Sequence, residues 1–117
     1  MDTRLSKNFW QSELECKCGC HAYVPNSELV VVLQDLRDHF KAPVRVTSST
    51  RCVDHNKAIG GVKSSKHLLG LAADVQVTGV PPEVVYGYLD SLYPDKYGIG
   101  SYNSFTHVDV RDYKARW

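Results

Sequence analysis

Residues 64–77 read SSKHLLGLAADVQV, an apolar run that begins near a histidine, His67, and carries an aspartate, Asp74, in its second half. From Ala72 to Val77 the chain alternates, with Ala73, Val75 and Val77 on one face and Asp74 and Gln76 on the other, the period of a β-strand. A strand that served packing alone would have no use for His67 or Asp74. If both side chains are meant for one small ion, the stretch is half of a site, and the rest must come from another segment.

The segment Thr106-His107-Val108-Asp109-Val110 supplies it. Side chains two apart on a strand point the same way, so His107 and Asp109 share a face. With the polar faces of the two strands matched, His67, Asp74 and His107 converge. Two imidazoles and one carboxylate suit Zn²⁺, and three protein ligands leave the fourth tetrahedral position open to water, as catalytic zinc sites do. On spacing alone, however, a solvated sheet face with His67 capping a turn accounts for the residues better.

Outward from these strands, Leu29, Val32, Leu33, Leu36 and Phe40 recur at helical spacing, predicting a helix from Glu28 to about Phe40 that Pro43 closes. Val44 to Thr47 alternates as a strand and leads into the polar turn Ser48 to Arg51. A short helix from Val53 to Ile59 is stopped by Gly60-Gly61, and Ser65 and His67 are expected in a loop. Pro81-Pro82-Glu83 opens a third helix with Val84, Val85, Tyr88, Leu89 and Leu92 as its buried stripe. Gly98 to Tyr102 and Phe105 to Val110 read as two strands about an Asn103-Ser104 turn. Residues 1–24 look irregular, with Phe9, Trp10 and Leu14 tucked onto the core. The pattern predicts a single α+β domain over residues 1–117, a small antiparallel sheet with flanking helices.

The 117 residues suffice for one core. A formal charge of +1 with 23% charged residues gives no basic stripe, so no nucleic acid partner is expected. No stretch approaches the roughly twenty apolar residues of a membrane span, and Met1 to Asn8 lacks a secretory apolar run. No membrane association is expected, and synthesis in the cytoplasm without a signal peptide is. Nothing suggests an oligomer, and a monomer is expected.

The stretch Ser65-Lys66-His67-Leu68-Leu69-Gly70-Leu71-Ala72-Ala73-Asp74 matches the pattern Ser-x-His-x-x-Gly-x-Ala-x-Asp. In this it resembles the zinc D-alanyl-D-alanine carboxypeptidases and L-Ala-D-Glu endopeptidases, cell-wall metallopeptidases whose fold is shared with the hedgehog signalling domain. The likeness extends to Thr47-Ser48-Ser49-Thr50-Arg51-Cys52 with His55-Asn56, to the Phe105–Val110 strand, to Arg116-Trp117, and to the Cys-Lys-Cys-Gly-Cys segment typical of short phage and bacterial members. The resemblance implies a hedgehog/DD-peptidase-like fold and zinc held by His67, Asp74 and His107. It further implies that Arg51 grips a substrate carboxylate or carbonyl, for which a planar, permanently charged fork is suited, and that Ser65 lines the substrate groove. For Arg51 and Ser65 the plain alternatives are a surface charge and a loop cap.

Many members of that family place an acid three residues before the last zinc ligand as general base; here that position is Ser104. Asp109 is the nearest acid in sequence and is expected either to take the proton from a metal-activated water or to orient His107. Ser49-Thr50 also replaces the usual Gly-Tyr before the arginine. The implied substrate is a peptidoglycan peptide, cut at D-Ala-D-Ala or at an endopeptide bond, with action at the bacterial cell wall; the size fits phage lysis or tail-associated hydrolysis, with a bacterial housekeeping protein as the alternative. Tyr102, Tyr113 and Trp117 are expected to pack at an edge, with walling of the groove as the alternative.

A 2-His-1-carboxylate iron oxygenase is imitated by His107-Val108-Asp109 but lacks a distal histidine further along. A non-catalytic, zinc-containing binding module of the hedgehog-like fold is the second reading. For the cysteines, Cys16, Cys18 and Cys20 repeat every two residues, without the gap of ordinary zinc knuckles. A disulfide from one of them to Cys52, or four reduced thiols, is expected ahead of a structural metal completed by Cys52 or His21.

Overall fold

The alternating runs become five strands: β1 (Val44–Ser48), β2 (Ala72–Val77), β3 (Gly98–Ser101), β4 (Thr106–Asp109) and β5 (Ala115–Arg116). This is the arrangement in a computed structural model, which describes residues 2–117. They form one sheet in the order β1-β2-β4-β3-β5. The first four strands are antiparallel to their neighbours, as expected, but β5 runs parallel to β3. The sheet is therefore mixed, within the α+β class.

Four helices accompany it: α1 (Gln11–Leu14), α2 (Ser27–Phe40), α3 (Val53–Ala58) and α4 (Pro82–Leu92). α2 starts where the Asn26 side chain accepts the Leu29 N–H at 3.0 Å, satisfying one of the four donors a helix start leaves free. It ends where Lys41 turns left-handed at φ 51°. α4 begins at Pro82, whose missing N–H is no loss in a first turn.

Both long helices cover one face of the sheet. Leu29, Leu33 and Leu36 of α2 and Val85 and Leu89 of α4 close over Val46, Ala73, Val75, Ile99 and Val108 in one core. The Tyr88 hydroxyl donates to Asp35 at 2.6 Å, joining the two helices. The expected α4 stripe is narrower than its pattern: Val84 and Leu92 are exposed, as is Trp10 near the N-terminus. Phe9 and Leu14 are buried as expected. The helix-covered face takes every other strand residue, so the opposite face receives Asp74 from β2, His107 and Asp109 from β4, and Gly98 and Gly100 from β3. That second face carries the polar cluster.

Candidate metal centre

Asp74 and His107 are direct partners across the β2–β4 ladder, which places their side chains side by side. His67 arrives from a short 3₁₀ helix, Lys66–Leu69, rather than an irregular loop. The Ser65 hydroxyl caps that turn by accepting the His67 N–H at 3.2 Å, and Gly70 ends it at φ 70°, a left-handed conformation that glycine adopts without strain. The Ser and Gly of the motif thus aim the histidine. His67, Asp74 and His107 are all buried, and one ligand atom from each lies within 4.8 Å of the others.

The hydrogen bonds assign the imidazole nitrogens. His67 Nδ1–H donates to the Ser49 carbonyl at 2.7 Å, which leaves Nε2 facing Asp74 Oδ1 at 3.2 Å. His107 Nε2–H donates to Asp109 Oδ2 at 2.8 Å, which leaves Nδ1 facing the same Asp74 oxygen at 3.0 Å. A neutral imidazole that donates through one nitrogen can only accept through the other. Two acceptor nitrogens would then confront one acceptor oxygen, an arrangement that calls for protons or a cation between them. Zinc ligands at about 2.0–2.1 Å in a tetrahedron stand about 3.3 Å apart, close to both separations. The donor set fits a divalent cation of the zinc type.

Charge is tuned to match. Without a cation, burial pushes the Asp74 carboxyl up, but proton-bearing nitrogens of His107 and His67 outweigh it and hold the group at about 2. Burial pulls the His107 imidazole down, yet Asp109 and Asp74 raise it above its ordinary value. For Asp109, burial is overcome by His107 and Arg111, which hold it below the usual carboxylate range.

Asp109 is fully buried. Beyond its bond to His107, it receives Arg111 Nε at 2.6 Å on Oδ1 and Arg111 Nη2 at 2.7 Å on Oδ2. It lies behind His107 and does not line the cavity in front of the cluster. Room for it comes from Gly98, where a Cβ would stand 2.4 Å from one Asp109 oxygen. Gly100 does the same for Trp117, whose Nε1 would lie 2.5 Å from a Cβ there.

Arg51 reaches the cluster from the opposite side. Its Nη2 donates to Asp74 Oδ2 at 3.3 Å, Nε to Ser48 Oγ at 3.0 Å and Nη1 to Asn56 Oδ1 at 3.2 Å. A bulge between Val46 and Ser48 brings Ser48 opposite Asp74, where it can hold that guanidinium. The turn read as simply polar is sealed: Ser49 and Thr50 are buried, and the Ser49 hydroxyl donates to the Ala72 carbonyl.

A cavity of about 710 Å³ opens in front of these groups. Arg51 and Ser65 line it with the three cluster residues, and so do Tyr102, Phe105, Tyr113 and Trp117, which form an aromatic wall rather than edge packing alone. Trp117 Nε1–H donates to the Tyr102 hydroxyl at 2.9 Å. Lys66 adds positive charge, Arg111 lines the cavity while paired to Asp109, and among the described residues Asp74 is the only lining residue with a carboxylate side chain. Ser104 is exposed and lies outside it.

Four further residues were missed at the level of sequence: Arg111, Ser48, Asn56 and Lys66. Arg111 carried a readable signal, since it follows Asp109 by two positions. Ser48 and Asn56 stand in the stretches that carry the family likeness, but nothing in their spacing ties them to Arg51, because a bulge and a helix turn bring them there.

Among the described residues, no helix is long and apolar enough to cross a membrane. No curated protein matches the chain. A sequence profile of the family described as peptidase M15 matches residues 6–109, nearly the whole length and all of the cluster. The chain belongs to the peptidase M15 family.

Proposed function

We propose that this chain is a zinc-dependent peptidase acting on peptidoglycan peptides, with His67 Nε2, Asp74 Oδ1 and His107 Nδ1 as the metal-holding atoms. The observation that carries the reading is the pair of imidazole nitrogens aimed at one carboxylate oxygen, beneath a cavity lined by all three residues. Zinc, when bound, supplies a Lewis acid that activates water and polarises a peptide carbonyl.

The protein's own groups divide the remaining work. The Ser49 carbonyl and Asp109 fix the two imidazoles by taking their outer N–H groups, which sets each tautomer and keeps the inner nitrogen free to coordinate. Asp109, buried and doubly held by Arg111, serves as a positioning residue for His107. Arg51 shares its charge with Asp74 and presents its remaining donors to the cavity, suited to a substrate carboxylate or carbonyl. Asp74 and Asp109 pair with Arg51 and Arg111, and Lys66 on the lining leaves a positive balance that favours an anionic peptide, as cell-wall stem peptides with free carboxylates are. The aromatic wall offers flat faces against which a peptide can lie. Ser65 lines the groove while its hydroxyl caps the turn under His67.

A second reading is a zinc-containing binding module. It is favoured by the lack, among the described residues, of any lining acid besides Asp74 that could act as a proton carrier. Incubating zinc-loaded protein with purified wall fragments, and following the products by mass spectrometry, separates the two. Loss of a terminal D-alanine would mark a carboxypeptidase and a split stem peptide an endopeptidase. Uncleaved fragments that nevertheless bind would establish the module, and absence of metal from the wild type would remove both readings.

A further inference from the structure

A second cluster of ligand-type side chains lies away from the cavity. Cys16, Cys18, Cys20 and Cys52 are free thiols, and their sulfurs all lie within 4.8 Å of one another. We propose that these four cysteines form a closed, four-thiolate site for a zinc-type cation, which clasps the N-terminal segment to the loop that carries Arg51.

The spacing of the sulfurs supports a metal rather than a bridge. Cys16 Sγ stands 3.4 Å from Cys18 Sγ and 3.8 Å from Cys52 Sγ, and Cys18 Sγ stands 3.7 Å from Cys52 Sγ. Zinc–sulfur bonds of about 2.3 Å place the corners of a tetrahedron about 3.8 Å apart. These three pairs all stand near that edge length, and Cys20 Sγ lies within 4.8 Å of the other three sulfurs.

The local backbone explains how an every-second-residue repeat can surround one ion. In an extended strand Cys16, Cys18 and Cys20 would stand in a row on one face, each about 6.8 Å from the next. The chain instead turns, with Gly19 at φ 95° and His21 at φ 61°, and Cys16 N–H closes the loop onto the Ala22 carbonyl at 2.8 Å. Glycine takes such a φ freely. The fourth sulfur, Cys52, lies just before α3 in sequence.

Backbone donors already face the sulfurs, as they do where thiolate charge must be spread. Cys52 N–H donates to Cys16 Sγ at 3.4 Å, His55 N–H to Cys52 Sγ at 3.3 Å and Ala22 N–H to Cys20 Sγ at 3.5 Å. His21 is not needed as a ligand, because its Nδ1 pairs with Glu15 at 3.0 Å. Binding would exchange four S–H protons for four sulfur–metal bonds with no change of oxidation state.

The clasp has a mechanical reason. Thr50 N–H donates to the Leu14 carbonyl at 3.1 Å, and Val24 N–H to Thr50 Oγ1 at 3.2 Å. The residues that flank the cysteine turn therefore grip the residue before Arg51, and a cation at Cys52 would lock the residue after it.

Zinc content per chain, measured on full-length protein purified without chelator, tests the site. The wild type should carry about two equivalents, and His67→Ala and the double variant Cys18→Ser/Cys20→Ser about one each. Cobalt substitution gives an independent readout that needs no cysteine variant. Thiolate-to-cobalt charge-transfer absorption should appear in the wild type and persist in His67→Ala. The inference is overturned if His67→Ala removes all zinc and the thiolate band is absent, or if intact mass under non-reducing conditions shows the loss of two hydrogens to a disulfide. Because the histidine and cysteine variants report separately, failure of one site leaves the test of the other intact.

Discussion

The two clusters differ in how the backbone makes them and in what they leave open. The histidine–aspartate cluster is made by sheet register: Asp74 faces His107 across a ladder, and only His67 comes from outside. The cysteine cluster is made by a turn and one distant residue, with Cys18 and Cys20 exposed and only Cys16 buried. The first holds three donors beneath a cavity, and the second holds four that do not line it. Three donors on a rigid sheet leave room for substrate, whereas four donors around a turn complete a coordination sphere and can only hold chain to chain.

The sharpest way to break this contrast is to remove one member of the sheet cluster. His67→Ala should lower hydrolysis of wall peptides about a thousandfold or more, ~4 kcal/mol of barrier, while thiolate-bound metal is retained. Equal loss of metal from both clusters would show that they do not act separately. A product assay with metal analysis on the same sample reads both.

Asp109→Asn tests whether the layer behind the ligands matters only at the sheet cluster. The amide keeps the shape but offers a single acceptor to His107 and Arg111, so zinc affinity there should weaken roughly 10–100-fold. Competition with a chelator measures it. The cysteine cluster, whose sulfurs receive backbone N–H groups, should be unaffected.

A smaller effect is expected from Arg51→Lys. A point charge cannot reach Ser48, Asn56 and Asp74 together as the guanidinium does, so kcat/KM should fall about tenfold, ~1.4 kcal/mol. Steady-state kinetics on one defined wall peptide tests this.

The mildest prediction concerns pH. The His107 pKa is raised in the metal-free chain, so its charge contributes stability fully below the unfolded value of about 6.5, and that contribution is lost as pH rises through the folded value. A metal must displace the same proton, so zinc affinity at the histidines weakens as pH falls through that window. Thermal melts of metal-free protein and zinc titrations across neutral pH should therefore trend in opposite directions.

Much of the sheet cluster was legible because a period of two is a local property of sequence. Asp74, His107 and Asp109 could be placed on one side of their strands from alternation alone. Their meeting with His67 came from the family motif, since nothing in the spacing of a 3₁₀ turn tells where its histidine points. Arg51 was assigned by resemblance, but its partners needed the bulge at Ser48, which has no composition signal. The parallel strand β5 was missed because two residues are too few to show a period; it is recognised only by the ladder to Gly98 and Ile99. Val84 and Leu92 followed the helical period yet are exposed, since periodicity marks a face and not how much of it the sheet covers. The cysteine turn was illegible for a related reason: an i, i+2, i+4 repeat looks like a strand until a left-handed glycine bends it.

One consequence follows from the bare face of β3. Where Gly100 offers no side chain, the Trp117 indole lies flat enough to hold the Tyr102 hydroxyl. A single added methyl there would meet the indole at Nε1 and press it off the Tyr102 hydroxyl. The shape of the aromatic wall is thus set from beneath, at a backbone position that carries no metal-type ligand of its own.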